Sequence, residues 1–450
     1  MTRFVARNFL LENVTLWKNG RWQPGSLLVR RGRVRGVFDA AHTPPAIDVP
    51  RMSGNGSCLF PGFVDVHVHF REPGQEQKET IRSGTAAAAH GGYTCVCTMP
   101  NLNPVPDSTA HLRVQLDKIR ETASIHVLPY GAITVSEQGD ALADLDALAP
   151  HVCAFSDDGR GVQHAERMEC AMRRAKALGK CIVAHAEDEA LVRGGVIHDG
   201  EYARAHRHAG NPSESEWKQV ERDIDLVRKT GADYHVCHVS TKESIALIRQ
   251  AQREGLPVTC ETAPHYLVLN DALLREDGRF RMNPPIRSAE DQQALLEALQ
   301  DGTICCIATD HAPHTAAEKS GGLDHSLNGV VGLETAFPIL YTKLVRNGLL
   351  SLEHLIDCLT ARPIRRFALS DVREARRGLP LARGLFEGEA ADFTLFDLES
   401  EYTIRPEDFR SKGKASPFSG ERVFGRCVAT YVGGAPVFVD EEAIRREELS

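Results

Sequence analysis

The sequence is poor in aromatic residues, 6% of its 450 positions, and has no apolar run near the ~20 residues of a membrane-spanning helix. Met1 to Asn8 holds two arginines but no apolar core of signal-peptide length follows, so the expected location is the cytoplasm. A basic stripe is also missing. The net charge is −8 and the pI near 6.2, which argues against nucleic acid as a partner. None of the twelve cysteines forms a Cys-x-x-Cys pair. Cys95, Cys97, Cys153, Cys181, Cys237, Cys305 and Cys306 lie in apolar runs and read as buried free thiols of a reducing compartment, not as a disulfide scaffold. Walker-type loops, G-x-G-x-x-G and G-x-S-x-G are absent, which removes the usual signs of nucleotide binding and of a serine nucleophile.

What is present divides into three parts. Residues 1–57 alternate short strands with turns, as in LLENVTLWKNGRW and SLLVRRGRVRGVF, and Thr43-Pro44-Pro45 reads as a loop. Residues 58–370 alternate short apolar runs with helical patterns. The runs are Phe63–Val66, Tyr93–Thr98, Ile125–Tyr130, Val152–Phe155, Cys181–Ala184, Tyr234–Cys237, Pro257–Cys260 and Ile304–Ala308. Ser240-Thr241-Lys242-Glu243 and Ser288 with Asp291 have the spacing of helix-capping boxes, and Gly255 and Gly302 fit the helix ends. Eight strand–helix repeats predict an α/β fold, a (β/α)8 barrel with some long loops. Residues 371–450 return to strands, expected to pair with the N-terminal ones in a small β domain built from both chain ends.

The chemistry gathers at PGFVDVHVHFREPG. His67 and His69 are two apart on a strand and leave it on one side. A lone His-x-His is weak, since 19 histidines yield about one by chance. His206 and His208 have the same spacing in a polar stretch and read as solvated surface. The first pair gains weight from other strand ends, because active-site groups of such barrels come from the C-terminal ends of strands. His185 ends the fifth run, His238 the sixth and Asp310 the eighth, while Asp157-Asp158 follow the fourth. Imidazole and carboxylate together suit Zn²⁺, with Mn²⁺, Co²⁺ or Fe²⁺ as alternatives. Six ligands exceed the needs of one tetrahedral ion and suit two bridged ions. Asp158 is the candidate bridge and Asp157 its rival; spacing does not separate them. His311 reads as structural.

The set PGFVDVHVHFREPG, TMPNLNP, FSDDG, VAHAED, HVCHVSTKES, ETAPHYL, RMNPP and IATDHAPH resembles the class I, Bacillus-type dihydroorotase family of the amidohydrolase superfamily, over about residues 55–345. The resemblance implies reversible cyclisation of N-carbamoyl-L-aspartate to L-dihydroorotate, in pyrimidine biosynthesis. It implies two zinc ions, one held by His67, His69 and Asp310, the other by His185 and His238, with Asp158 bridging as the second Asp of FSDDG. Arg71, Asn101, Asn283 and His314 would bind substrate beside His69, and Asn328-Gly329 would sit in a loop closing over the ring. In ring opening a metal-bound hydroxide would attack the cyclic amide, with Asp310 as proton shuttle. A homodimer and association with aspartate carbamoyltransferase are the partners implied. The polar loop 315–327, with Gly321-Gly322, is expected to be mobile. Two other readings compete. Hydantoinases and allantoinases usually bridge their metals with a carboxylated lysine after the fourth strand, where this chain has Asp157-Asp158. A non-catalytic partner of aspartate carbamoyltransferase would lack the ligands, and all six are present.

Overall fold

The computed structural model describes residues 7–18, 20–42, 44, 48–372 and 380–440. Thr43 and Pro45 of the expected loop, and Met1–Ala6 of the N-terminal stretch, lie outside the described residues. All eight apolar runs of the middle region contribute a parallel strand. They are β1 (Phe63–Val68), β2 (Tyr93–Thr98), β3 (His126–Pro129), β4 (Phe155–Ser156), β5 (Ile182–Ala184), β6 (Tyr234–Val236), β7 (Val258–Thr262) and β8 (Cys306–Ile307). β1 and β2 are buried at every position, as strands covered on both faces are. The fourth strand starts at Phe155, later than the Val152–Phe155 run suggests.

β1, β2 and β3 form one parallel sheet; a second runs β8-β7-β6-β5-β4 and ends on Gly131–Ala132, just after β3. The two sheets touch at both edges. Cys153 N donates to Pro129 O at 3.0 Å on one side. On the other Val68 bridges His311 in parallel, and His69 N donates to His311 O at 2.8 Å.

Helices pack outside these sheets, with caps that place them. Ser288 and Asp291 form the expected capping box before Ala289–Asp301, which Gly302 ends in a left-handed conformation. The helix Lys242–Arg253 is capped by Thr241, because the Ser240 hydroxyl is taken by Glu216.

An eight-stranded sheet draws on both chain ends. Strands Phe9–Lys18, Arg21–Arg30 and Arg33–Asp39 follow one another as antiparallel hairpins. Cys58–Pro61 pairs with Phe393–Thr403, which joins Arg422–Val432 and Ala435–Val439. Phe60, Phe63, Phe337 and Phe396 stack across the junction, with Phe63 and Phe396 centroids 5.3 Å apart. The base of β1, which carries His67 and His69, is thereby anchored in apolar packing.

Candidate active site

Every ligand candidate lies at the C-terminal end of a strand, and the six meet. His67, His69 and Asp310 bring donor atoms within 4.8 Å of one another, and Asp158, His185 and His238 form a second such group; all six are buried. Asp158 stands between the groups. Its carboxylate is 3.3 Å from His67 Nε2, 3.4 Å from His69 Nε2, 3.7 Å from His185 Nδ1 and 3.5 Å from His238 Nε2. Asp157 turns away, accepting from Ile133 N at 2.7 Å and from Thr134 N and Oγ1. The adjacent aspartates thus have different work, one facing imidazoles and one capping backbone.

Burial pushes the Asp158 carboxyl up, but His67, His238 and His69 hold it well below the usual carboxylate range. Asp310 is held down in the same way by His69 and His67 against its burial. Burial alone pushes Asp157 up to about 6, against its backbone hydrogen bonds.

The outer ring nitrogens of the first histidine pair are occupied. His67 Nδ1 lies 2.9 Å from Glu261 Oε1, and His69 Nδ1 lies 2.8 Å from Asn101 Oδ1. Both partners accept, so in the neutral rings each proton sits on Nδ1 and each Nε2 offers a lone pair; the charge that holds Asp158 low is a second proton on His67, in the place that a metal ion would take. Those lone pairs face carboxylates: His69 Nε2 is 3.1 Å and His67 Nε2 3.6 Å from Asp310 Oδ1. His67 Nε2 and Asp158 Oδ1 have no hydrogen-bond partner. Facing acceptors in a buried site call for a cation, and imidazole–carboxylate donors suit zinc. Cys237 also lies within reach of His67 and Asp158, and burial raises its thiol above its ordinary value.

The backbone is left-handed at Arg71, His238 and Asp310, with φ of 60°, 30° and 47°. Non-glycine residues held there are strained, and such strain clusters at functional sites.

The substrate-binding candidates divide. Arg71 is buried, with Nε donating to Pro313 O at 3.3 Å; burial lowers its guanidinium to about 10. His314 Nε2 lies 2.7 Å from Asn328 O, while its Nδ1 is buried without a hydrogen-bond partner, 3.6 Å from Glu318 Oε2. A Cβ on Gly329 would lie 2.6 Å from Ala312 O, and its φ of 131° favours glycine too. Asn101 is occupied by His69. Asn283 Nδ2 donates to Glu187 Oε2 at 3.0 Å and lies 3.4 Å from His185 Nε2. Asn328 Oδ1 accepts from Arg281 Nε.

Three residues were not singled out from sequence. Glu261 holds His67, and Glu187, two residues past His185, reaches both His185 and Asn283. Lys319 is buried, with Nζ donating to the carbonyls of Arg281, Leu327 and Gly329 at 2.7–2.9 Å. Glu261 had a readable signal, a carboxylate inside a buried strand. The loop 315–327, expected to be mobile, is tied by Lys319, by Lys78 to Glu318 at 3.2 Å, and by His208 to Asp324 at 2.7 Å. His208 also contacts Glu276 at 2.9 Å, so it is not the solvated residue its polar setting suggests, while His206 is exposed. His311 Nε2 lies 3.4 Å from Glu79 Oε2.

Comparison with known proteins agrees with this geometry. A family model described as "Dihydro-orotase-like" matches residues 56–244. A dihydroorotase of Geobacillus sp. (strain WCH70) is 48% identical over 423 residues, 94% of this chain and 96% of that protein. One from Bacillus cytotoxicus is 47% identical over 440 residues, 95% of this chain and 99% of that one. Among solved structures, an L-hydantoinase (dihydropyrimidinase) from Arthrobacter aurescens matches with a TM-score of 0.81 and 25% identity, covering 96% of each chain. A dihydropyrimidinase from Brevibacillus agri NCHU1002 matches with 0.81 and 24% identity, over 96% of this chain and 95% of that one. The structural likeness extends the fold to cyclic-amide hydrolases, while the much higher sequence identity lies with one group of them. The chain belongs to the dihydroorotase family.

Proposed function

We infer that this chain is a hydrolase of cyclic amides that interconverts L-dihydroorotate and N-carbamoyl-L-aspartate, the third step of pyrimidine synthesis. The relatives named dihydroorotase, at 46–48% identity over nearly the whole chain, support the activity. The observation that carries the site is the pair of Nε2 lone pairs, from His67 and His69, facing the Asp158 and Asp310 carboxylates. The two parallel sheets, touching at both edges, are read as one closed (β/α)8 barrel over residues 58–370. The eight-stranded sheet is read as a smaller domain shared by residues 1–57 and 371–450. None of the helices among the described residues is long and apolar enough to cross a membrane; we assign the enzyme to the cytoplasm, as a homodimer able to associate with aspartate carbamoyltransferase.

His67, His69 and Asp310 would hold one zinc and His185 and His238 a second, with Asp158 within reach of both groups. Bound there, zinc supplies Lewis acidity that acidifies a water and polarises the amide carbonyl. The chain's own groups do the rest. In ring opening Asp310 takes the proton of the attacking water and returns it to the leaving ring nitrogen. In ring closure it takes the proton from the carbamoyl nitrogen and delivers it to the departing oxygen. Arg71 grips the substrate carboxylate outside the reacting bond with two parallel hydrogen bonds. His314, Asn101 and Asn283 orient the same end of the molecule, and Asn328-Gly329 lines the ring. The fourth strand delivers Asp158 instead of the lysine usual in hydantoinases and allantoinases, which favours dihydroorotate.

Ring opening of L-dihydroorotate, hydantoin and allantoin by the purified protein tests the assignment. Turnover of dihydroorotate above the other two is expected. Turnover of hydantoin or allantoin alone would overturn the substrate while keeping the site.

A further inference from the structure

A chain of buried polar groups runs from His67 down through the strands to the opposite end of the molecule. Glu261 lies between two imidazoles, with Oε1 2.9 Å from His67 Nδ1 and Oε2 3.2 Å from His235 Nε2. His67, His235 and Glu261 are 0%, 0% and 1% exposed. His235 Nδ1 lies 2.7 Å from Thr259 Oγ1, which accepts from Arg366 Nε. Thr259 and Glu261 sit on one face of β7, and His235 pairs with Thr259 across the ladder to β6. Arg366 is fixed in turn, with NH1 3.1 Å from Asp233 Oδ2 and NH2 donating to Tyr234 O at 3.2 Å. Asp233 and Tyr234 mark the N-terminal end of β6, the end away from the six ligands.

The direction of this chain is set by chemistry. Arginine can only donate. The Thr259 hydroxyl, accepting from it, has its own proton free for His235 Nδ1. His235 then carries its proton on Nε2 and donates to Glu261. Glu261 accepts there and again from His67 Nδ1–H. Each N–H and O–H along the path meets an acceptor, and His67 Nε2 is left as a lone pair toward the ligand cluster. Glu261 keeps the proton of His67 on Nδ1, and His235, Thr259 and Arg366 hold Glu261 in the place from which it does so.

We propose that Glu261, His235 and Thr259, ordered by Arg366 at the far end of the strands, are positioning residues that fix the tautomer and orientation of His67 and so set the site's affinity for zinc. The inference rests on the metal reading above. It reaches beyond the ligands, to a hydroxyl separated from them by a carboxylate and a second imidazole.

The test is zinc affinity of the metal-free protein, by competition with a chromophoric chelator, with thermal stability measured alongside. Outer partners of a ligating histidine typically contribute 10–100-fold to affinity. Glu261→Gln, which can donate where the carboxylate only accepts, is expected to weaken zinc binding at least about tenfold. Thr259→Val keeps the shape and deletes the hydroxyl, and is expected to weaken it several-fold. Thr259→Ser keeps the hydroxyl, and is expected to bind zinc as the unmodified chain does. A role in packing alone would predict the reverse order for the two threonine variants. Zinc affinity unchanged in Thr259→Val and in Glu261→Gln would overturn the inference alone. An unmodified chain that takes up no zinc would overturn the metal reading and this inference with it.

Discussion

The roles proposed for Asp310 and Arg71, moving a proton and holding a carboxylate, make separable predictions. Asp310→Asn keeps the size of the side chain and removes its basicity. Turnover of dihydroorotate is expected to fall by about 10²–10⁴, the usual worth of a positioned acid–base group. KM should change much less, and near-normal kcat would exclude the shuttle role. Arg71→Lys keeps the charge and loses the planar fork. Charge-assisted hydrogen bonds contribute ~1.5–3 kcal/mol each, so KM for dihydroorotate should rise about tenfold or more. Unchanged kinetics would make Arg71 a structural arginine bound to Pro313. At this scale the sequence was most readable where a residue type is rare in its setting. Histidines at the ends of apolar strands stand out. The choice between Asp157 and Asp158 did not, because adjacent carboxylates are told apart only by what they face: Thr134 and its backbone for one, four imidazoles for the other. Asn101 and Asn283 were read as substrate groups from motif alone, and the hydrogen bonds they already make, to His69 and Glu187, depend on side chains far away in sequence.

The loop 315–327 belongs to the scale of elements. Its glycine pair and polar content suggest mobility, yet it carries a buried lysine nitrogen bonded to three carbonyls. Lys319→Met fills similar space and takes the Lys319 donor from the Leu327 and Gly329 carbonyls, while Arg281 O keeps Gly329 N, at a cost of about 1–3 kcal/mol for each left unsatisfied. We expect faster limited proteolysis within 315–327 and a higher KM, since Gly329 and Asn328 share these ties. Proteolysis at the unmodified rate would show that other contacts hold the loop. Elements with local signals were legible: eight strands from eight apolar runs, and the Ser288 capping box from two side chains three residues apart. The beginning of β4 was not. Val152, Cys153 and Ala154 are as apolar as a strand, and only the partners across the ladder decide where regular pairing starts.

For the whole molecule, the pairing of strands from the two chain ends was anticipated from their strand patterns, but its register was not. Cys58–Pro61 joins Phe393–Thr403 through pairs such as Leu59 with Leu395, and no local pattern specifies so distant a partner. The long path from Arg366 to His67 was invisible for the same reason: each link joins a different strand or helix. Metal links the parts of the site to global stability as well. A ligand bound only by the folded chain, at a hundredfold above its Kd, adds about 2.7 kcal/mol.

The most direct measurement follows dihydroorotate ring opening and Tm in the same samples as chelated protein is titrated with zinc. The account predicts that chelation abolishes turnover and lowers Tm, and that both return together and saturate near two zinc ions per chain. Turnover that survives in fully metal-free protein, or a return of Tm without turnover, would contradict it.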